Sequence, residues 1–374
     1  MVSLARRNLV YDRLRFVITV SGVAFAVTLV LVQVGLFMGL LDKATVTIQN
    51  STADLWITSR ETPNVDFAHT FPETNVLRVR GVPGVERADN LLLQFMNIQL
   101  PSGAEEGCLV YALHDFQAWN LPWNVQGADV RDLKRGRYIL MDKSAERRFG
   151  AFAVGDYREI LGRRFKIIGT TTGAASFTTA PIVFMDFGNA QELLDTLQGK
   201  AQYILVRLAH GADTEAVKAE IRRRLPYNDV YSKDDWARRS RSYWVVSTGL
   251  GMNMGVTVFL GILVGIVVVA QTLYTSAVEH VKEFGTVKAI GGSNWDIYRI
   301  LGEQALIAAV LGFVLGGLLC LAMRPLMAKL YLNVLVSPSF AAAVFVGTLL
   351  MCLGAAMLSF RRVASIDPAL VFRT

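Results

Sequence analysis

The chain has 374 residues, 52% of them hydrophobic and only 18% charged, with a mean hydropathy of +0.37. So little polar surface excludes an ordinary soluble protein of two or three domains. The net charge of +7 does not point to nucleic acid either: residues 42–244 carry 26 Lys+Arg against 25 Asp+Glu, and the rest of the chain carries 12 against 6. The excess therefore flanks the apolar segments, whereas nucleic-acid binding wants it clustered on one folded surface.

Residues 1–15 hold Arg6, Arg7, Arg13 and Arg15 against Asp12 alone. Val10, Leu14 and Val17 share one side there, so this cytoplasmic N-terminus has the amphipathic pattern of a segment lying along the inner membrane surface. The uncharged run at residues 16–41 exceeds the roughly 20 needed to cross a bilayer. Ala24, Phe25 and Ala26 resemble a signal-cleavage site. Cleavage there would leave too short an apolar stretch before it and 15 uncharged residues after it, so an uncleaved first span is expected.

Residues 42–235 read as a mixed α+β extracytoplasmic domain. Strand-like segments lie at 54–58, 138–141, 165–169, 181–185 and 203–208, and helical ones at 143–149, 188–197 and 213–225, the last stopped by Pro226. Residues 236–278 follow as a stalk and second span, 279–303 as a cytoplasmic loop and 304–323 as a third span. A short external loop at 324–339, a fourth span at 340–360 and a cytoplasmic tail at 361–374 complete the plan. The expected fold class is thus an α-helical membrane protein with four transmembrane helices and an α+β extracytoplasmic domain inserted between helices 1 and 2. Arg-rich flanks at both ends put both termini in the cytoplasm, as the positive-inside rule requires for a multi-pass protein of a bacterial inner membrane.

Chemistry-bearing signatures are scarce. His69, His114, His210 and His280 are far apart in sequence, and none stands at metal-ligand spacing from a Cys or carboxylate. Cys108 is alone outside the spans, while Cys320 and Cys352 fall inside them, so no disulfide framework is expected. The sequence contains no G-x-S-x-G and no G-x-x-x-x-G-K-[ST]. No Asp or Glu interrupts a span, where an ion-coupled carrier would keep one; Gln33 and Gln271 are the main polar intruders. No catalytic residue, metal or cofactor is expected on this chain, which is read as a non-enzyme.

The loop after the second span is the most informative segment. Glu279, Lys282 and Glu283 have the i, i+3, i+4 spacing that supports a helix, and Gly291 and Gly292 would stop it. Glu283, Phe284, Gly285, Thr286, Val287, Lys288, Ala289, Ile290, Gly291 and Gly292 together resemble the E-x-G-x-x-[KR]-A-[IL]-G-[AG] segment of FtsX/MacB-like ABC transporter permeases. Glu303 falls where that family has a Glu near the start of the next span. Asp367, Pro368, Ala369, Leu370, Val371, Phe372 and Arg373 resemble its closing P-x-x-A-L-R tail with altered spacing. Within the family, the residues from Ala5 to Phe37 and the run Ala53, Asp54, Leu55, Trp56, Ile57, Thr58 look most like DevC-type permeases of tripartite exporters.

The resemblance implies mechanotransmission. A cytosolic ABC ATPase, carrying the ATP and Mg, would close beneath two permease copies, and Glu279, Lys282, Glu283, Gly285, Lys288, Gly291, Gly292 and Glu303 would form the coupling element. The segment from Trp236 to the end of span 2 would carry that motion rigidly outward. A periplasmic adaptor and a TolC-like outer-membrane channel would complete the efflux path. Gly251 with Gly255, Gly261 with Gly265, and Gly312 with Gly316 are small-xxx-small pairs suited to close helix packing, within the chain or between two copies. The alternatives are an FtsX-type transmitter that regulates an extracytoplasmic hydrolase and a ligand-sensing membrane receptor. The transported substrate is open among lipid, glycolipid, peptide and drug.

Overall fold

The computed structural model describes residues 13–178, 180–279, 293–330 and 332–363. They form two units, Leu40–Leu250 on one hand and Met1–Gly39 with Gly251–Thr374 on the other. The amphipathic stretch before Arg13, most of the cytoplasmic loop and the C-terminal tail lie outside the described residues.

In chain order the sheet domain contains α1 (Val46–Asn50), β1 (Leu55–Ser59), β2 (Phe71–Pro72), α2 (Asn75–Arg80), β3 (Val85–Gln99) and β4 (Glu105–Leu113). β5 (Tyr138–Asp142), α3 (Glu146–Phe149), β6 (Tyr157–Ile160), β7 (Arg163–Thr171), β8 (Ile182–Asp186) and α4 (Phe187–Leu193) follow. β9 (Lys200–Ala201), β10 (Tyr203–Leu208), α5 (Thr214–Arg224), β11 (Asn228–Ser232) and α6 (Lys233–Ser242) end it. Nine strands make one sheet in the order β11-β1-β10-β3-β4-β8-β5-β7-β6.

At 15 residues, β3 is long enough to pair twice on the same side. Its first half pairs with β10 (Leu91 opposite Tyr203) and its last residues with β6 (Ile98 opposite Ile160). The second pairing closes β3-β4-β8-β5-β7-β6 into a ring and leaves β10, β1 and β11 as an open wing. Closure removes the free edges that β3 and β6 would otherwise present.

Alternate side chains enter two cores. Ile57, Ile98, Val110, Met141, Val183 and Val206 belong to one, joined by Val79 of α2 and Ile221 of α5. Trp56, Leu93, Tyr111, Leu140, Phe184 and Leu205 belong to the other, joined by Ile48 of α1, Trp119 and Trp236 of α6. Burying a side chain as large as Trp56, Trp119 or Trp236 contributes on the order of 3 kcal/mol apiece. With both faces covered, a strand needs no polar face, which is why Tyr203, Ile204, Leu205 and Val206 run on without alternation.

The same physics hides the β3–β4 hairpin from a pattern reading, which places no strand at 85–113. Leu91, Leu92 and Leu93 break the period of two because both of their faces are buried. The turn between the strands is a local signal: Gly103 takes φ +83°, and Leu100 N–H donates to Ala104 O at 2.8 Å.

The membrane unit has four apolar helices: span 1 (Arg13–Lys43), span 2 (Leu250–Glu279), span 3 (Asn294–Lys329) and span 4 (Pro338–Val363). Val23, Val27 and Leu31 of span 1 lie at the centre of their core, against Val269 and Leu273 of span 2, Ala305 and Ala309 of span 3 and Cys352 and Ala355 of span 4. Span 3 runs past the expected end at 323, through Arg324 and Pro325 to Lys329. A charge does not terminate a helix; the chain turns only where Leu330 and Leu332 N–H both donate to Met327 O.

The segment expected at 236–278 as stalk and second span is not one continuous helix. α6 passes into a π-helical turn at Tyr243–Ser247, and the backbone then breaks at Gly249, whose φ of +71° a side chain would strain. Thr248 holds the break together: its hydroxyl donates to Trp244 O at 2.6 Å and accepts from Leu250 N–H at 3.4 Å.

Candidate functional site

Span 2 ends at Glu279 and the helix of span 3 begins at Asn294, so these two ends bracket the loop singled out by the sequence. Lys282, Glu283, Gly285, Lys288, Gly291 and Gly292 lie outside the described residues. Glu279 and Glu303 are described, and each meets an arginine.

The Glu279 carboxylate accepts from both terminal nitrogens of the Arg15 guanidinium, 264 positions earlier in the chain. A two-point fork fixes orientation as well as separation. Side-chain exposures of 29% for Arg15 and 51% for Glu279 put the pair at the solvent edge. There its worth in stability is about 1 kcal/mol or less. Its consequence is registration: the residue that opens the loop is held to the first turn of span 1. Nothing local in the sequence pairs these two residues.

Glu303 lies one turn beyond Arg299, with 3.4 Å between carboxylate oxygen and Nε. Trp295 is 75% exposed in the first turn of the span 3 helix, its ring 6.3 Å from that of Tyr298. These two residues, with Arg299, Leu301 and Gly302, border an open cleft of about 410 Å³ whose other side is Leu353, Ala356 and Met357 of span 4. An exposed tryptophan at an apolar cleft, with the Arg299 guanidinium at its border, has the composition of a protein-docking surface. The sequence reading did not single out Trp295 or Arg15; an aromatic just after a Gly-Gly-Ser turn was the available signal.

The glycines divide. A Cβ on Gly261 would stand 2.9 Å from Leu29, and one on Gly265 2.8 Å from Met351 and 3.1 Å from Ala26. On Gly312 it would reach Val23 at 2.4 Å, and on Gly316 the Ala24 carbonyl and Val27 at 2.8 Å. These four glycines thus line the packing of spans 2 and 3 against span 1, and at Gly265 of span 2 against span 4, within one chain. Around Gly255 nothing stands within 4 Å, and Gly251, one turn earlier in span 2, is half-buried. Gln33 of span 1 is 3.4 Å from Met254 Sδ.

Among the ionisable groups of the sheet domain, the large upward shifts come from burial. Cys108 is pushed up to about 12 and Asp66 to about 7. Tyr203, whose hydroxyl donates to Val65 O at 2.9 Å, is held well above the ordinary phenol range. Trp56 and Trp119 are core residues, and the Trp119 indole N–H donates to Asp89 at 2.9 Å.

Comparison with known proteins gives two family matches. Residues 16–224 match the MacB-like periplasmic core domain, and residues 255–368 match the FtsX-like permease C-terminal domain. The chain is 27% identical over 382 residues to an uncharacterised ABC transporter permease of Mycobacterium tuberculosis, covering 100% of this chain and 99% of that one. A second uncharacterised permease of that organism is 24% identical over 390 residues, with the same coverage. An uncharacterised ABC transporter permease of Methanocaldococcus jannaschii is 26% identical over 189 residues, covering 47% of this chain and 46% of its own. Among solved structures, the periplasmic region of MacB from Actinobacillus actinomycetemcomitans aligns with a TM-score of 0.39 at 10% identity, over 50% of this chain and 92% of that one. The extracellular domain of the transporter YknZ from Gram-positive bacteria aligns with a TM-score of 0.37 at 14% identity, over 48% and 99%.

Proposed function

The chain belongs to the MacB/FtsX-like ABC transporter permeases, and from that premise we propose that it is the membrane subunit of an exporter whose ATP hydrolysis takes place on a separate cytosolic subunit. The observation that carries the coupling role is the fork of Arg15 on Glu279, because it ties the entry of the loop to span 1 as well as to span 2. A push on the loop is then delivered to two helices at once. Span 1 passes it on through close packing: Gly312 and Gly316 let span 3 sit against Val23 and Val27 with no side chain between. Interiors packed this closely shift as units and deform little, so displacement at one end of the bundle is conserved along it.

In this reading Lys282, Glu283 and Lys288 set the docking register of the ATPase by charge, and Trp295 supplies apolar contact area at its edge. The sheet domain receives the motion outside the membrane. A second copy of the chain, a periplasmic adaptor and a TolC-like outer-membrane channel complete the exporter, and the substrate is taken up on the outer side of the membrane and does not pass through the four spans.

The test is capture of the tagged full chain from its native membrane in mild detergent, with mass spectrometry of what accompanies it. We expect a P-loop ATPase together with a periplasmic adaptor, and loss of the ATPase alone when Glu283 and Lys288 are both replaced by residues of opposite charge. An ATPase accompanied by a cell-wall hydrolase would replace export by hydrolase regulation. Capture with no ATPase under any condition would overturn the reading and return the chain to the receptor class.

A further inference from the structure

The near-balance of charge in the sheet domain conceals a segregation. Residues 42–130 carry 5 Lys+Arg against 11 Asp+Glu, whereas residues 131–166 carry 11 against 5. The second segment contributes β5, β6 and β7, which are neighbours in the order β5-β7-β6, so the cations collect on one side of the ring. Local carboxylates neutralise only part of this. Glu192 is shared between Arg163 at 2.7 Å and Arg137 at 3.8 Å, Asp132 pairs with Arg135 at 2.8 Å, and Glu106 with Arg148 at 2.8 Å. Arg164 lies over the Tyr157 ring, 4.8 Å from its centroid. Among the described residues, buried Arg158 donates only to the carbonyls of Tyr157 and Ala151. The Lys166 ammonium has no carboxylate within ion-pair distance among the described residues.

A cleft of about 420 Å³ opens on this side. Its floor is Tyr138 of β5 beside Lys166 and Ile168 of β7, and the parallel register sets Tyr138 directly opposite Lys166. One wall is the loop at Gly127 and Ala128 with the short helical turn that bears Asp132 and Arg135, and the other is Val154 and Gly155. Gly169 makes the first wall possible: a Cβ there would stand 2.8 Å from Gln126 O and 2.9 Å from Ala128 Cβ. Without it the loop could not lie on β7 through the Gln126–Thr170 bridge. Arg158 steadies the second wall through its hydrogen bond to Ala151 O.

We propose that this cleft binds the phosphate ester of a small polyol, with Lys166 and Arg135 on the phosphate and Asp132 accepting from a hydroxyl. The chemistry selects the class. An ammonium and a planar guanidinium, approaching from different elements, suit a group with several anionic oxygens. The Asp132 carboxylate in the same lining, 2.8 Å from Arg135, would repel a bare anion but accepts hydrogen bonds from the neighbouring hydroxyls of a polyol. The volume is that of a small-ligand site. Such a group is found free in solution or as the headgroup of a phospholipid. The site stands on the geometry of the sheet domain and not on the export reading, and its test needs no ATPase.

The full chain, held in neutral phosphatidylcholine nanodiscs, is titrated with glycerol 3-phosphate and, separately, mixed with phosphatidylglycerol vesicles and floated. Binding in either arm is expected to weaken at least about tenfold in Lys166→Glu, the scale of one charge-assisted hydrogen bond. It is expected to weaken similarly in Arg135→Glu, a change at a side chain that is 76% exposed. Arg223→Glu makes the same change in net charge at a residue that is 73% exposed and not in the cleft, and it should bind as the parent does. Binding of the soluble ester assigns a free ligand, and binding of the vesicles alone assigns a lipid headgroup. Binding in neither arm overturns the proposal, as does an equal loss in Arg223→Glu.

Discussion

Asp66 is 4% exposed, and its Oδ2 has no hydrogen-bond partner. Its surroundings are structural: its own N–H and that of Phe67 donate to Asn64 Oδ1, and the Tyr203 hydroxyl donates to Asn64 O and Val65 O. Burial raises the carboxyl to about 7; burial also raises the nearby Tyr111 and Tyr203 hydroxyls, with the Asp66 charge as a smaller contribution. In the unfolded chain the same carboxyl titrates near 4. Between those values the native state holds a proton that the unfolded state has released. The resulting stabilisation is full below about pH 4, declines as pH rises towards 7, and is flat above. Asp66→Asn keeps the shape and removes the titration. At pH 8 it should therefore exceed the parent in stability by about 1–3 kcal/mol, with the advantage shrinking towards pH 5. Thermal melting of the detergent-solubilised chain, followed by tryptophan fluorescence at both pH values, measures this. Equal losses in parent and variant between pH 5 and 8 would remove Asp66 as the source.

At the scale of elements, the membrane helices owe their packing to where side chains are missing. Gly316 faces backbone as well as side chain, since its own carbonyl accepts from Thr28 Oγ1 at 3.2 Å and a Cβ would press on Ala24 O. Backbone cannot rotate away, so Gly316→Ala should destabilise the bundle by about 1–3 kcal/mol as overpacking does. Gly255→Ala, which adds a methyl to open space, should be neutral or slightly favourable because it also removes a helix-weakening glycine. Denaturation of the two variants in detergent compares them. A loss confined to Gly255→Ala would mean that the exposed face of span 2 is covered by a second copy. The sequence located all four spans, because 20 apolar residues admit few other readings, and it found β1, β5, β7, β8, β10 and α5 to within a few residues. It could not find β3 and β4, whose two-sided burial erases alternation, nor the break at Gly249, where a single φ value interrupts a run that is uncharged throughout. For the candidate site it supplied the loop and Glu279 but not Arg15 or the gathering of cations around Lys166, since both depend on contacts made only by folding.

For the molecule as a whole, function turns on which side of the membrane each polar segment occupies. Charge gives the expected answer. Apart from the sheet domain, Lys and Arg concentrate before span 1, between spans 2 and 3, and after span 4, while the short loop between spans 3 and 4 has only Arg324 and Lys329 beside it. A long domain crosses the membrane largely regardless of its own charge, so the many arginines of the sheet domain do not oppose this orientation. The structure makes the point easy to measure, because Cys108, Cys320 and Cys352 are all buried. Cys108, pushed up to about 12 by burial, is also a poor thiolate, so background labelling is low. Arg223→Cys places a thiol on exposed α5, and Ser293→Cys places one at the exposed edge of the loop. In spheroplasts, a membrane-impermeant maleimide should label Cys at 223 within minutes and reach 293 only after the membrane is opened. The reverse pattern would put the sheet domain in the cytoplasm. A cytosolic ATPase would then have no access to the loop between spans 2 and 3, and both the coupling role of Glu279 and export as the direction of transport would fail with it.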